Sequence, residues 1–407
     1  MEESLKFVIV GHIDHGKSTL IGRLLYDTGS LPQDKIVEMR KVSEKFGKEA
    51  EFSFLLDHLE EERKRGITID TTQTYFRAKK REYVIIDAPG HREFIRNMVT
   101  GTSKAEAGVL IIDASEGIKE QTRRHGYILS LLGISQIIVV FNKMDIVDYS
   151  EEIFEKLKME AKNFFSEIGI EPLFYIPVSA LKGENIIKKS EKMPWYKGPA
   201  FVESLDLIEK SEIPQDILVF PVQDIYTINS EKVIVGRIET GRLKVGDEIE
   251  ILPDGKRTKV KSIEKFNEKK EVSFSGESIG ITINPEVYIE RGMVICHPDK
   301  KPPQSSYFTA TLLWMDKEPL LRSEKIKMKC MTQTAQCEIV KIRKKIDTAT
   351  LKPVDGDMEK LENLEVGEVE LRSEKILVME SFEKIPQLGR FVLLRENICA
   401  AGLVREI

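Results

Sequence analysis

The chain has 407 residues, of which 41% are hydrophobic and 32% charged, and its formal net charge at pH 7 is −5. This length accommodates about two to four domains, the acidic balance argues against nucleic acid wrapped over the whole surface, and no run reaches the roughly 18 consecutive apolar residues of a membrane span. The N-terminus has no secretory pattern, and the four cysteines are scattered without metal-like spacing. We therefore expect a cytoplasmic protein with buried, reduced thiols and no membrane contact.

The first half of the chain alternates short apolar runs with longer helical patterns. The runs stand at 7–10, 83–86, 109–112, 137–141 and 174–178. Continuous apolar runs of this length are typical of strands covered on both faces, and the long connections between them suit crossover helices. After the first run, Leu20, Ile21, Leu24 and Leu25 share one helical face, and Gly29 is a plausible helix end. This pattern predicts a doubly wound α/β domain with a mostly parallel sheet over residues 1–207.

The second half is rich in short β patterns. Turn signals stand between them, with Gly-Asp at 246–247 and Pro-Asp-Gly at 253–255. Composition changes near 208–215 and again at 297–303, which we interpret as linkers. We predict two all-β barrel domains, at residues 215–300 and 304–407.

The stretch GHIDHGKST at 11–19 matches the phosphate-binding pattern G-x-x-x-x-G-K-[ST]. Glycines let the backbone curl so that its N–H groups face phosphates, and the N-terminus of the following helix, predicted to begin at Lys17, points at them. We expect Lys17 to reach the β- and γ-phosphates and the Ser18 hydroxyl to bind Mg²⁺.

The base is selected by NKMD at 142–145, directly after an apolar run. In open α/β sheets, ligands bind at the carboxyl ends of the strands. The Asp145 carboxylate can accept from both the ring N–H and the exocyclic amine of guanine, and adenine has no such pair of donors. SAL at 179–181, again after a predicted strand, adds a loop that packs on the base.

Two further motifs predict a switch that senses the γ-phosphate. In DAPGH at 87–91, Asp87 ends a strand and would hold Mg²⁺ through water, while Gly90 offers a flexible backbone N–H. In RGITID at 65–70, Thr68 is a second hydroxyl ligand for Mg²⁺. Loss of the γ-phosphate would release both segments. The charged insert between Ser30 and Gly66 is predicted to be a surface element able to rearrange.

His91 follows the predicted γ-phosphate sensor, and we expect it to orient or polarise the attacking water. A structural role is the simpler interpretation for the other five histidines, which are His12, His15, His58, His125 and His297.

The motifs GHIDHGKST, RGITID, DAPGH, NKMD and SAL, in this order, resemble those of the translation-factor GTPases. TGRLKVGDEIEILPDG at 240–255 is similar to the second-domain barrel of that class, so the resemblance covers essentially the whole chain. It implies a P-loop GTPase domain followed by two β-barrels, with GTP or GDP and Mg²⁺ as ligands. It also implies that Ile13 and Ile67 form an apolar gate, which keeps His91 from water until a partner activates it.

The predicted site residues come from these motifs. Those expected to contact the nucleotide are Gly11, His12, Ile13, Asp14, His15, Gly16, Lys17, Ser18, Thr19, Asp87, Gly90, Asn142, Lys143, Asp145, Ser179, Ala180 and Leu181. Those expected to hold Mg²⁺ are Ser18, Thr68 and Asp87, and the predicted catalytic residue is His91.

Within the class, the chain most resembles the GTPase subunit of heterodimeric sulfate adenylyltransferase. The resemblance lies in STLIGRLLYDTGSL, GITIDTTQTYF, EQTRRHGYILSLLGI, NKMDIVDYSEEIFE, SEKMPWYKGP and LLWMDKEPL. It implies a small ATP-sulfurylase subunit as partner, in a heterodimer or a higher assembly, where ATP and sulfate bind. His12 and His15 depart from that branch, which more often carries a small residue and an acidic residue there.

Two alternatives stay open at this point. An elongation factor that delivers aminoacyl-tRNA to the ribosome would have the same motifs, and the basic run KIRKKI at 341–346 would then contact phosphates. A solvated strand face is the simpler interpretation of that run. A GTPase of the same architecture with another partner is the third possibility.

Overall fold

The computed structural model describes residues 4–12, 14–31, 73–87, 105–209, 216–228, 231–265, 268–348, 350–354 and 356–407. These residues form two compact units, one from positions 1–210 and 348–350 and the other from positions 211–347 and 351–407. No helix in the described part of the chain is both long and apolar enough to span a membrane.

The first unit is built on a six-stranded sheet with the order β2-β3-β1-β4-β5-β6. Its strands are β1 (Leu5–Gly11), β2 (Gln73–Arg77), β3 (Glu82–Asp87), β4 (Ala107–Asp113), β5 (Ile137–Asn142) and β6 (Phe174–Pro177). The five predicted apolar runs fall on β1, β3, β4, β5 and β6, which pair in parallel. The sheet is not wholly parallel, because β2 runs antiparallel to β3. Only residues 78–81 join these two strands, which is too short for a crossover.

Helices in this unit are α1 (Lys17–Asp27), α2 (Glu120–Leu131), α3 (Glu151–Glu167) and α4 (Phe201–Asp206). The predicted apolar face of α1 is buried, and Gly29 follows the helix in the left-handed conformation at φ 67°. Helix α3 is capped by Ser150, whose side chain accepts from the Ile153 N–H, and Glu151 and Glu152 in its first turn suit the positive end of the helix dipole.

The second unit contains two barrels. The strands of the first are β7 (Phe220–Ile228), β8 (Glu231–Arg237), β9 (Arg242–Lys244), β10 (Glu248–Leu252), β11 (Lys256–Lys265), β12 (Glu268–Lys270), β13 (Val272–Phe274), β14 (Ser278–Asn284) and β15 (Val294–Cys296). The order β10-β15-β7-β8-β14-β11 closes because β10 also pairs with β11. The predicted Pro-Asp-Gly turn at 253–255 connects those two strands, with Gly255 at φ 72°.

The second barrel closes in the order β16-β21-β19-β18-β22-β23. This part of the chain contains β16 (Gln304–Trp314), β17 (Leu320–Leu321), β18 (Ile326–Cys330), β19 (Gln333–Asp347), β20 (Lys360–Leu361), β21 (Glu365–Val378), the short helix α5 (Pro386–Gly389), β22 (Arg390–Leu394) and β23 (Ile398–Glu406). Burial alternates along β18, with Ile326, Met328 and Cys330 inside and the two lysines outside, as a strand with one buried face requires.

An ion pair and a hydrogen-bond contact fix the segment that follows the first barrel. The Lys301 ammonium donates to the buried Glu250 carboxylate at 2.5 Å, and His297 Nε2 lies 3.3 Å from Asp247 Oδ2. The predicted linker at 297–303 is therefore held against the barrel. The linker predicted at 208–215 falls mostly outside the described residues. All four cysteines are buried, as expected.

Candidate functional site

The carboxyl ends of three neighbouring parallel strands meet at the phosphate-binding loop. Strand β1 ends at Gly11, β4 at Asp113 and β5 at Asn142, and α1 begins at Lys17. Gly16 is the N-cap of α1 at φ 90°; it makes no side-chain cap hydrogen bond, and the first turn holds no acidic residue. The positive end of α1 is thus open to an anion, as a phosphate site requires.

The two glycines of the motif are required by close packing. A Cβ on Gly11 would lie 2.5 Å from the Ile111 carbonyl oxygen, and one on Gly16 would lie 2.3 Å from the Asn142 amide nitrogen. Both distances are shorter than any real Cβ contact. The loop therefore rests directly on β4 and β5, and only glycine fits at either position.

Lys17 lies inside the curve of the loop. Its ammonium donates to the carbonyl oxygens of Gly11 at 2.7 Å and His12 at 2.9 Å. Burial lowers the pKa of Lys17 to about 8, against the opposing charges of Asp87 and Asp14. A half-buried cation surrounded by loop backbone is the donor that a diphosphate or triphosphate would engage.

Ser18 and Thr19 are half-buried in the first turn of α1, and Asp87 is half-buried at the end of β3. Asp14 is exposed and stands in the left-handed region at φ 64°. The Ser18 hydroxyl and the Asp87 carboxylate supply the hard oxygen ligands that Mg²⁺ prefers, so the donor set fits that ion.

The histidines of the motif pack behind the loop. The His12 and His15 rings meet edge to face at 5.1 Å, and the buried His15 has its Nδ1 3.4 Å from the Ile111 carbonyl oxygen. Burial lowers the pKa of His15, and it lowers the pKa of the nearby His125 to about 3. The uncharged form of these rings is therefore favoured, in agreement with a structural role for His15 and His125.

Asn142 ties the phosphate-binding loop to the base-reading loop, which we define as residues 142–149. Its buried side chain donates to the His15 carbonyl oxygen at 2.9 Å and accepts from the Ala180 N–H at 2.9 Å. One residue of NKMD thus contacts both GHIDHGKST and SAL. Two hydrogen bonds, which span 127 and 38 positions of the chain, bring the three motifs together.

The side chain of Asp145 is fixed by a neighbour from the SAL loop. Ser179 donates its hydroxyl to Asp145 Oδ1 at 2.5 Å, and Asp145 itself stays half-buried. Leu181, which completes that loop, is half-buried, and its carbonyl oxygen accepts from Arg23 on α1 at 3.4 Å. The carboxylate is held in one orientation beside the open end of the sheet, as base recognition requires.

Sequence reasoning missed Asp113, the last residue of β4. Lys143 stands at φ 63° and its ammonium lies 2.6 Å from Asp113 Oδ2, while Ser115 donates to Oδ1 from both its N–H and its hydroxyl. Burial raises the pKa of Asp113, but the hydrogen bonds from Lys143 and Ser115 outweigh it and hold the pKa below its usual range. The sequence signal that could have pointed to Asp113 is its position at the end of an apolar run. Arg23, which donates to the Leu181 carbonyl oxygen, has no such signal.

Five predicted residues cannot be placed, because Ile13, Ile67, Thr68, Gly90 and His91 lie outside the described residues. Their roles in the gate, in Mg²⁺ binding and in catalysis stay predictions. The described residues of GHIDHGKST, NKMD and SAL lie together at one edge of the sheet.

Three family models together match most of the chain. Residues 2–218 match the family model for the elongation factor Tu GTP binding domain, residues 231–296 the model for elongation factor Tu domain 2, and residues 307–405 the model for a GTP-eEF1A C-terminal domain-like region. Elongation factor 1-alpha of Pyrococcus abyssi is 40% identical over 419 residues, which cover 99% of this chain and 97% of that protein.

A second full-length relative is named for sulfate activation and not for elongation. Sulfate adenylyltransferase subunit 1 of Aliarcobacter butzleri is 37% identical over 415 residues, which cover 100% of this chain and 88% of that protein. Among solved structures, sup35 complexed with GDP matches with a TM-score of 0.46 and 24% identity, covering 100% of this chain and 95% of that one.

Proposed function

The chain belongs to the elongation factor Tu family of GTP-binding proteins, and from that premise we propose that it is the GTPase subunit of a two-subunit sulfate adenylyltransferase. Family membership makes it a GTPase of the translation-factor class with three domains. The finer proposal concerns what its hydrolysis drives. Adenylation of sulfate by ATP is steeply uphill, and GTP hydrolysis on this chain would drive it on a separate small subunit.

Identity to relatives does not choose between the branches, because 40% and 37% over nearly the whole chain are close values. The observation that carries the choice is the charge pairing along β19. That strand contains the basic run 341–346, the feature that would serve tRNA binding.

The cations of this run face carboxylates on β21. Arg343 Nε donates to Glu370 Oε1 at 2.8 Å, and the buried Lys345 lies 3.4 Å from Glu365 Oε2. The strand register also sets Lys341 opposite Glu370 and Lys344 opposite Glu368. A nucleic-acid face gains affinity when its cations replace counterions on phosphates. Arg343 and Lys345 are already paired with carboxylates, and cations held in this way are poorly suited to replace counterions, so the pairing favours the branch that needs no RNA surface.

In this proposal the described residues bind and orient the nucleotide. The open end of α1 and Lys17 hold the phosphates, and Asp145, fixed by Ser179, reads guanine. Mg²⁺, held by Ser18, Asp87 and Thr68, would neutralise phosphate charge. His91 would orient the water that attacks the γ-phosphate.

The test is reconstitution with a candidate small subunit. We expect formation of adenosine 5′-phosphosulfate from ATP and sulfate to rise with GTP and not with a non-hydrolysable GTP analogue. The Asp145→Asn variant is the matched control, since it should lose the response to GTP and gain one to XTP, which assigns the effect to this chain. A stable complex whose synthesis is indifferent to GTP would refute the proposal.

Delivery of aminoacyl-tRNA is the second candidate, favoured by full-length relatives named elongation factor 1-alpha at 40% identity. Its signature is GTP-dependent capture of charged tRNA that weakens steeply with salt. Arg343→Glu should abolish that capture if β19 contacts RNA. Tight capture by the wild-type chain would replace sulfate activation as the proposed function.

A further inference from the structure

Two stretches singled out in the sequence, NKMDIVDYSEEIFE and SEKMPWYKGP, lie against each other in the fold. The first contains the base-reading loop and the start of α3. The second contains a segment that we call the strap, residues 190–198. None of the residues predicted to contact the nucleotide lies in the strap, so direct binding does not explain its role.

The strap binds the far end of the base-reading loop. Trp195 Nε1 donates to the Tyr149 carbonyl oxygen at 3.1 Å, and Lys192 Nζ donates to the Tyr149 hydroxyl at 3.3 Å. The Lys192 ammonium also lies 5.0 Å from the centre of the Tyr149 ring, within cation–π range. Tyr149 is thus held by its backbone, its hydroxyl and its ring.

This end of the loop has an unfavourable backbone conformation. Asp148 at φ 50° and Tyr149 at φ 55° are successive non-glycine residues in the left-handed region, which L-residues enter at a steric cost. The Tyr149 N–H donates to the Met144 carbonyl oxygen at 2.8 Å, which closes the loop around Asp145. The conformation that presents Asp145 therefore depends on contacts that hold Tyr149.

The strap is itself anchored. The buried Asn185 donates to the Pro177 carbonyl oxygen at 2.8 Å and accepts from the Ser190 N–H at 2.7 Å, which fixes the start of the strap to the end of β6. The Trp195 ring packs 5.2 Å from that of Phe154, whose ring lies 5.6 Å from Phe141 on β5. Strand, helix and strap form one packed unit behind Tyr149.

We propose that Trp195 and Lys192 are positioning residues for guanine recognition. They hold the left-handed turn at Asp148 and Tyr149, and through it they place the Asp145 carboxylate against the ring N–H and the exocyclic amine of guanine. The inference rests on guanine nucleotide binding and not on sulfate activation, so a failed reconstitution leaves it standing.

The test compares GDP with IDP, which differ only in the exocyclic amine. Trp195→Phe keeps an aromatic ring and removes the indole N–H. We expect GDP affinity to fall about 3- to 10-fold, the range for one lost hydrogen bond, and IDP affinity to fall less. The preference for GDP over IDP, measured with the full chain by competition against a fluorescent nucleotide, should therefore decrease.

The chain offers a matched control in its other tryptophan. Trp314 is fully buried in the second unit and donates its Nε1 to the Glu318 carbonyl oxygen at 2.9 Å. Trp314→Phe removes the same kind of hydrogen bond and should leave the GDP-to-IDP preference unchanged. An equal loss for both nucleotides in Trp195→Phe, or no loss at all, would overturn the proposal.

A second pair of variants decides the matter if Trp195→Phe does not fold. Lys192 is exposed, so Lys192→Met and Lys192→Arg should both fold. Lys192→Met should lower the GDP-to-IDP preference. Lys192→Arg should keep the preference near that of the wild type, because arginine still places a cation over the Tyr149 ring. Identical preferences in both variants and the wild type would contradict the positioning role.

Discussion

The two ends of the nucleotide site are constructed in different ways. At the phosphate end, backbone and glycine provide the surface: Gly11 and Gly16 touch the neighbouring strands so closely that no side chain fits. At the base end, side chains provide it: Asp145 is fixed by Ser179, and Lys143 by Asp113. The phosphate end is therefore formed by one contiguous motif, whereas the base end needs side chains from distant parts of the chain.

The difference has a consequence for specificity. In the proposed site, backbone N–H groups and Lys17 would bind the phosphates that every nucleotide carries, so this end would contribute affinity without choosing a base. The base end would contribute selectivity, through the Asp145 carboxylate that is predicted to distinguish guanine. Affinity and selectivity should therefore be separable by mutation, and the variants below test that separation.

The largest effect is expected at the phosphate end. Lys17→Ala removes the half-buried ammonium and should weaken binding of GDP, IDP and ADP by a common factor of about 10- to 10²-fold, the range for a charge-assisted hydrogen bond. Hydrolysis of GTP should fall as well. Equilibrium binding of the three nucleotides measures this. Near-normal affinity would remove Lys17 from the phosphate site, and a changed base preference would break the division between the two ends.

The next effect is confined to the base end. Asp145→Asn replaces an acceptor by an amide that also donates, so the variant should prefer xanthine nucleotides, which present a carbonyl oxygen where guanine has its amine. We expect GDP affinity to fall about 10- to 10²-fold and XDP affinity to rise. Ser179→Ala is the milder comparison, because it frees the carboxylate without removing it. Unchanged selectivity in Asp145→Asn would exclude this residue from base recognition.

The parts of the fold that the sequence predicts are those whose signal lies in consecutive residues. The five apolar runs became the five parallel strands, each within a residue or two of its predicted limits, because burial on both faces leaves an unbroken apolar signal. Strand β2 was missed, since QTYFR has one buried face and alternates. The sequence predicted two all-β barrels but not their strand pairings. Pairings such as β16 with β21 and β23 depend on how the whole barrel packs.

The same reason limits prediction of the site. The residues of GHIDHGKST, NKMD and SAL that the structure describes meet at one edge of the sheet, as predicted from their positions after strands. Asp113 and Trp195 were not assigned to it, because each contacts the base-reading loop from 30 or more positions away in the chain, Asp113 at Lys143 and Trp195 at Tyr149. Such a partner has no local pattern of its own.

The smallest effect is expected behind the base-reading loop, where Asp113→Asn removes a carboxylate that pairs with Lys143 and Ser115. The variant should keep its GDP-to-IDP preference and lose about 1–3 kcal/mol of unfolding free energy at neutral pH, because Lys143 and Ser115 lose a charged acceptor. Urea unfolding in a Trp314→Phe background measures this, since Trp195 is then the only tryptophan and its fluorescence reports on the first unit.

The pH dependence of that difference gives the sharper check. The pKa of Asp113 is lowered in the folded chain, so its contribution is fully present above the pKa of the unfolded carboxyl, about 3.9, and is lost as pH falls through the lower folded value. The difference in stability between the wild type and Asp113→Asn should therefore be full at neutral pH, begin to shrink below about pH 4 and vanish below the folded pKa of Asp113. Glu116→Gln removes an exposed carboxylate that lies 3.6 Å from His15 Nε2, and it should change stability by less than about 0.5 kcal/mol at neutral pH, because the lowered pKa of His15 favours an uncharged ring. A difference between wild type and Asp113→Asn that persisted in acid would mean that shape, and not charge, holds Lys143 in place.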